Sequence, residues 1–465
     1  MRASAGALER AETAGDPVRH RLRRRGVLGR IAGVSALPVV GLAGCERGSE
    51  APPAASRPSV EVTLWSNLAP THTETPPRRA AVEAFNQAQD RVRVIQEDDA
   101  AMSTAVSTQK ALTAAAGGVP PDVMWNSYSQ VATLFTAAAT TDLNPLLKGD
   151  RLWPAQQKDV IPRMLETVQW RGRLTGLPIY TNGTLLAYPS DLFDGAGAAK
   201  IRPGWTWNDF LEVARPVTNP PDRYAVLIAR GSGTSNPITP YNSFNSWFGT
   251  TDGRVFSPDG EKVTLSNDNA RATMQFLLDL ANRGLAPAVP PEGYSFINGK
   301  VVFADASPGS PASFRNQGVT RFGVVGYPVR SVRSTTCGGH TFTVFRGAPR
   351  VKQEAATLMA RWVNQASVQA DMAVANPALL PVSLSARQLK PMTELVARDP
   401  ILKHFLDELP YLHRPNSMPS GTQIYERLGV AVADILDGKI GVNDGLSRAQ
   451  QEMQVLLDAD LKLAI

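Results

Sequence analysis

Between Val60 and Trp125 the sequence alternates three short apolar runs with two amphipathic ones, and few folds accommodate that order. Val60-Glu61-Val62-Thr63-Leu64-Trp65 has the period-two pattern of a strand and ends in Ser66-Asn67, a loop signal. Arg78 to Ala88 places Ala81, Val82 and Phe85 on one helical face. Arg91 to Gln96 reads as a second strand, residues 103–116 as a helix stopped by Gly117-Gly118, and Asp122 to Trp125 as a third strand. This order predicts an α/β unit with parallel strands and right-handed crossovers. Ligands of such sheets bind beyond the carboxyl ends of the strands. Trp65-Ser66-Asn67 and Trp125-Asn126-Ser127 occupy two of those ends.

A chain of 465 residues is too long for one ordinary core, so two lobes are expected. The middle of the sequence is richer in helices, with Thr206 a candidate N-cap for Trp207-Asn208-Asp209-Phe210 and Gly284 ending a helix over residues 269–282. Residues 322–325 and 342–345 read as strands, 352–364 as a helix, and 421–460 as two helices broken at Gly438-Lys439-Ile440-Gly441. No internal repeat is evident.

The net charge of +6 is unevenly spread. Residues 1–44 hold eight arginines against three acidic residues, which leaves +1 for the remainder and removes the main support for nucleic-acid binding. Those residues read as a signal peptide: Arg21-Leu22-Arg23-Arg24-Arg25, a short apolar segment from Ile31 to Ala43, then Leu42-Ala43-Gly44-Cys45. The last tetrad resembles a bacterial lipobox, which implies cleavage before Cys45 and lipid on its sulfur. Arg24-Arg25-Gly26-Val27-Leu28 resembles a twin-arginine export signal, with Val27 where Phe is commoner. Residues 45–58, rich in Pro, Ala and Ser, then form a tether. The expected location is the extracytoplasmic face of a bacterial membrane. With Cys45 so used, Cys337 has no disulfide partner.

Seven further motifs occur in an order similar to that of the carbohydrate-type (family 1) extracellular solute-binding proteins of ABC importers. They are Val62-Thr63-Leu64-Trp65, Gly118 to Val123 (GVPPDV), Gly172 to Pro178 (GRLTGLP), Leu185 to Phe193 (LLAYPSDLF), Thr206 to Phe210 (TWNDF), Phe296 to Phe303 (FINGKVVF) and Gly338-Gly339. The resemblance covers nearly all of residues 58–460, with Pro189 and Phe303 departing from the usual Asn and Met. It implies a two-lobe, periplasmic-binding-protein-like α/β fold (type II) with a ligand cleft between lobes and hinge crossings near residues 178–180, 333–337 and 373–378. The implied lobes are 59–178 with 337–375, and 179–336 with 376–465. It also implies a monomer, docking on permease subunits, closure around a small polar ligand, and no cofactor.

Sugars present apolar faces and hydroxyl rims, so their sites pair aromatic platforms with short polar side chains. The candidates at matching strand-end loops are Trp65, Asn67, Trp125, Asn126, Tyr180, Asn182, Gly338, Gly339 and His340, with Trp247 and Asp305 from the second lobe. Trp65, Trp125 and Trp247 could equally be core, Asp305 could cap a turn, and Trp205 and Trp207 read as packing. The glycines would let backbone N–H groups approach a ligand oxygen.

An enzyme is the rival class. A secreted hydrolase needs a nucleophile elbow or a metal helix; Gly231-Ser232-Gly233 is not an elbow, because Ala229 breaks the pattern. His72, His340, His404 and His413 lack metal-ligand spacing, and Asp98-Asp99 lacks companion carboxylates. Within binding proteins, a glycerol 3-phosphate or glycerophosphodiester ligand is the alternative; it would require arginine in the cleft, from Arg330, Arg333, Arg387 or Arg414.

Overall fold

The alternation at the start of the folded chain builds a parallel sheet. Strand β1 (Val60–Ser66) pairs in parallel with β2 (Val92–Asp98) on one side and β3 (Val123–Ser127) on the other. Val62 and Leu64 are fully buried while Glu61 is exposed, as a period of two requires. The following helix, Thr75–Ala88, begins three residues before the apolar face suggests. Prolines occupy its first turn, where a missing N–H removes no helical hydrogen bond. The structure is a computed structural model describing residues 59–98, 104–228, 239–287, 291–413 and 418–463. The signal peptide and tether with Cys45, the Gly231-Ser232-Gly233 turn, Asp99 and Arg414 lie outside the described residues.

A hairpin of β4 (Gln169–Trp170) and β5 (Arg173–Leu174) precedes β6 (Leu177–Gly183). Then β7 (Leu185–Pro189) enters a second sheet, between β8 (Ala304–Ala306) and β9 (Phe322–Val325). The chain returns through β10 (Thr335–Val344), antiparallel to both β3 and β6. The short strands β11 (Leu380–Pro381) and β12 (Leu412–His413) pair with β6 and with the start of β10. The large sheet therefore runs β11-β6-β10-β3-β1-β2.

The first change of sheet falls at Thr184, a few residues beyond the expected 178–180, because Leu177 to Gly183 is committed along its length to partners in the large sheet. The return crossing ends at Thr335, inside the expected 333–337. The third differs more. After helix Ala366–Ala375 the chain stays with the first lobe, adding β11 to the large sheet and packing helix Lys390–Arg398 against Ala366–Ala375. Ala370, Ala373, Met392, Leu395 and Leu402 share one apolar cluster there, which holds the segment in place.

One core gathers Val62, Leu64, Phe85, Trp125 and Phe342 around the large sheet. Another gathers Trp205, Phe210, Trp247, Phe303 and Leu277 in the second lobe, together with Leu428 and Leu457 of the last two helices, Gly421–Leu436 and Val442–Leu461. A third, including Ile161, Ala187, Val324, Leu380 and Phe405, joins residues of both sheets beneath the crossings. Thr206 caps helix Trp207–Val217 reciprocally with Asp209. Trp205 donates its Nε1–H to the Gly326 carbonyl at 2.8 Å and Trp207 stacks on Phe276, so both tryptophans pack as expected. Among the described residues, no helix is long and apolar enough to cross a membrane.

Candidate functional site

The carboxyl ends of the large sheet converge on one buried cation. Arg78, on the first turn of helix Thr75–Ala88, is fully buried. A guanidinium withdrawn from water survives only if it is paired and hydrogen-bonded. Its NH1 donates to Asn67 Oδ1 at 3.3 Å, and its NH2 donates to Glu74 Oε2 at 3.0 Å and to the Tyr180 hydroxyl. Its Cζ lies 4.7 Å from the Trp125 ring centre.

Tyr180 and His340 extend this network. The Tyr180 hydroxyl donates to Glu74, His340 Nδ1 touches the same oxygen, and His340 Nε2 lies 3.3 Å from Asn67 Nδ2. One proton arrangement satisfies every contact. Arg78 and the His340 Nδ1–H donate to the Tyr180 oxygen, whose own proton goes to Glu74, while the Asn67 amide donates to a bare His340 Nε2. A second proton on His340 would point at the Asn67 N–H. Burial first, and then Arg78 and His72, hold the His340 pKa well below its ordinary value, and burial raises that of Tyr180.

The glycine pair sits beside this network. Gly338 N–H donates to Asn182 Oδ1 at 2.9 Å, and the Gly338 carbonyl accepts from Tyr128 and from Thr181 Oγ1. That N–H is thus taken by Asn182 rather than held out to a ligand, which differs from the sequence expectation. Gly339 has φ +140, and a Cβ there would lie 1.8 Å from Tyr128 Oη and 2.3 Å from the Tyr180 carbonyl. Only glycine fits, and the register slips immediately after His340.

The second lobe adds a polar series. The Tyr327 hydroxyl donates to Asp305 and also meets Ser246, and Ser246 Oγ lies 2.9 Å from Thr336 Oγ1 at the start of β10. Solvent reaches Asp305, yet protein crowds its carboxyl enough for burial to raise the pKa, with the Tyr327 hydrogen bond opposing. A polar line therefore runs from Asp305 through Tyr327 and Ser246 to Thr336, and it continues along β10, the strand that carries Gly338 and His340 of the Tyr180 and Glu74 cluster.

Of the residues singled out from sequence, Asn67, Tyr180, Asn182, Gly338, Gly339 and His340 come together, and Asp305 stands at the other end of the line. Three others are spent in packing, and Trp65 is partly covered. Trp125 is fully buried against Phe342 and Arg78. Trp247 is buried between Trp207, Phe210 and Tyr327. Asn126 is buried with its amide nitrogen 3.1 Å from Thr343 Oγ1 and 3.1 Å from the Met124 carbonyl, tying β3 to its neighbours. Trp65 is half-buried, donating to Glu97 at 2.9 Å beneath the Lys110 ammonium. A sheet covered on both faces consumes its strand-end aromatics in packing. Glu74, Arg78, Tyr128, Ser246, Tyr327 and Thr336 were not anticipated; only the i,i+4 spacing of Glu74 and Arg78 carried a signal. No group of three metal-ligating side chains occurs among the described residues.

The histidines set a pH dependence. His340 is held below its ordinary 6.5 and His413 is pushed down to about 4, mainly by burial, so the folded protein leaves unbound the protons that the unfolded chain takes up. Stability is therefore fully present above pH 6.5 and declines as pH falls through that value, by at most about 1.4 kcal/mol per pH unit for each histidine. Denaturant midpoints measured from pH 7.5 down to 5 should fall, and His340→Gln should flatten the decline; an unchanged slope in that variant contradicts the neutral His340.

Comparison with known proteins agrees with this architecture. A cyclic α-maltosyl-1,6-maltose binding protein from Arthrobacter globiformis superposes with TM-score 0.76 at 19% identity, covering 86% of this chain and 100% of its own. The sugar-binding protein MalE from Xanthomonas citri gives 0.72 at 20% identity, covering 86% and 98%. UgpB from Mycobacterium tuberculosis, in complex with glycerophosphocholine, gives 0.69 at 20% identity, covering 87% and 100%. These similarities establish the two-lobe fold. The model of the bacterial extracellular solute-binding proteins matches residues 80–404, and the chain belongs to that family.

Proposed function

We propose that the protein is the substrate-binding lipoprotein of an ABC importer and that it captures a sugar or oligosaccharide by closure of its two lobes. The observation that carries this reading is the polar line from Asp305 to Glu74, which crosses from the small sheet to the large one at Thr336. A ligand lying on it touches both lobes and so favours the form in which they approach. Asn67, Asn182, Asp305 and His340 are the proposed polar contacts, held in place by the buried Tyr180, with the chain passing between lobes at Thr184 and Ser334. Binding without catalysis fits a site whose titratable groups satisfy one another.

Charge favours a sugar over a phosphate ester. Along the described line the carboxylates are Glu74 and Asp305, and the guanidinium of Arg78 already donates to Asn67, Glu74 and Tyr180. A hydroxyl can donate to either carboxylate, whereas a phosphate would meet their charge with no free arginine shown beside them among the described residues. The fold shared with a glycerophosphocholine-binding protein makes that ester the comparison ligand.

A thermal-shift screen of mono-, di- and oligosaccharides against glycerophosphodiesters decides between them. A cognate sugar at a hundred times its Kd stabilises by about 2.7 kcal/mol. The sugar should do so, and Asp305→Asn should weaken its binding at least tenfold; a response confined to glycerophosphodiesters overturns the assignment.

The anchor is tested separately. We infer lipid attachment at Cys45 after removal of residues 1–44, with the folded part monomeric on the extracytoplasmic side. Cys45→Ala should move the expressed protein from the membrane to the soluble fraction, and unchanged membrane retention contradicts the anchor.

A further inference from the structure

A cavity of about 460 Å³ opens beside the return crossing and shares no lining residue with the polar line. Its walls come from helix Pro162–Thr167, from residues 249–258 of the second lobe, from Arg333 and Ser334 of the crossing, and from β12. Gly249 allows a close approach there, since a Cβ in its place would lie 2.4 Å from Ser334 Oγ and 3.6 Å from His413 Nδ1.

The charges around the cavity are unequal in their commitments. Arg333 is held by Glu408 at 2.6 Å and lies 3.9 Å over the Tyr411 ring. Arg163 pairs with Glu166 at 3.0 Å, but both are about two-fifths exposed, and such surface pairs contribute little. Arg254 has no ion pair or side-chain hydrogen bond among the described residues, and neither does the His413 ring. The field at that ring is positive: after burial, Arg254 and Arg163 press its pKa down, and Asp252 only partly opposes them.

We propose that this cavity is an accessory site for a small free oxyanion, of the phosphate or sulfate class, bound by Arg254 and Arg163 with the His413 imidazole as a further donor. Guanidinium forks match the paired oxygens of such anions. Asp252 and Glu166 also line the cavity, but Asp252 offsets the two arginines at the imidazole only in part; an anion adds to it, and the ring then holds a second proton more readily. Because the walls come from both lobes and from the strand joining them, an occupant also braces the crossing and stabilises the folded chain by mass action. The site is independent of the ligand assigned to the polar line.

The test is a titration of the intact folded chain with inorganic phosphate at constant ionic strength, with chloride as the balancing salt. It is read by the unfolding midpoint and by the histidine resonances. The midpoint should rise and saturate, and the His413 resonances should titrate at higher pH with phosphate than without. Arg254→Gln, at an exposed position, and Arg163→Gln, at a half-buried one, should each weaken the response at least tenfold. Arg315→Gln, paired elsewhere with Asp399, should leave it unchanged. Absence of a response, a rise without saturation, or an equal response in all three variants overturns the proposal.

Discussion

The guanidinium of Arg78 is the constraint on which the strand ends depend. It has no exposure to water, and its NH1 and NH2 reach three different elements: the loop after β1 through Asn67, the start of its own helix through Glu74, and β6 through Tyr180. Removing one partner from such a charge leaves it buried without compensation, at a typical cost of about 3–5 kcal/mol. The positions of Asn67, Tyr180 and, through Tyr180, His340 are therefore set together rather than one by one. A binding surface of short polar groups gains from such fixity, because less side-chain freedom remains to be lost when a ligand arrives.

A second constraint is steric. Gly339 lets β10 lie against Tyr128 and the Tyr180 carbonyl at distances no other residue allows, and the same strand begins at the contact of Thr336 with Ser246 of the second lobe. One strand thus carries both the packing of the first lobe's polar cluster and the link to the second. With β6 passing into β7 at Thr184, the two sheets are joined by adjacent strands of the large sheet, a geometry in which a modest change of backbone angles turns one lobe against the other.

The parts legible in the sequence were those with a local cause. Period-two runs placed β1 and β2, a short apolar run placed β3, Thr206 as N-cap placed a helix start, and Gly438 marked the break between the last two helices. Period alone did not say which strand-end aromatics would be covered. Trp125 and Trp247 look like platforms in sequence, yet Phe342 closes one and Trp207 and Phe210 close the other, all from distant segments. Arg78 was passed over because a lone arginine on a helix face is ordinarily solvated; its burial follows from Tyr180, more than a hundred residues away. Only the stretch from β11 through helix Lys390–Arg398 departs from the expected second lobe, because the contacts of Met392 and Leu395 with Ala370 and Ala373 are invisible to a linear reading.

The central claim is that two lobes close over a polar floor shared between them. Small-angle scattering of the protein, free and saturated with the sugar that binds it, measures this directly. The account predicts a smaller radius of gyration in the complex, reversed when the sugar is removed; identical radii in the two states would contradict it.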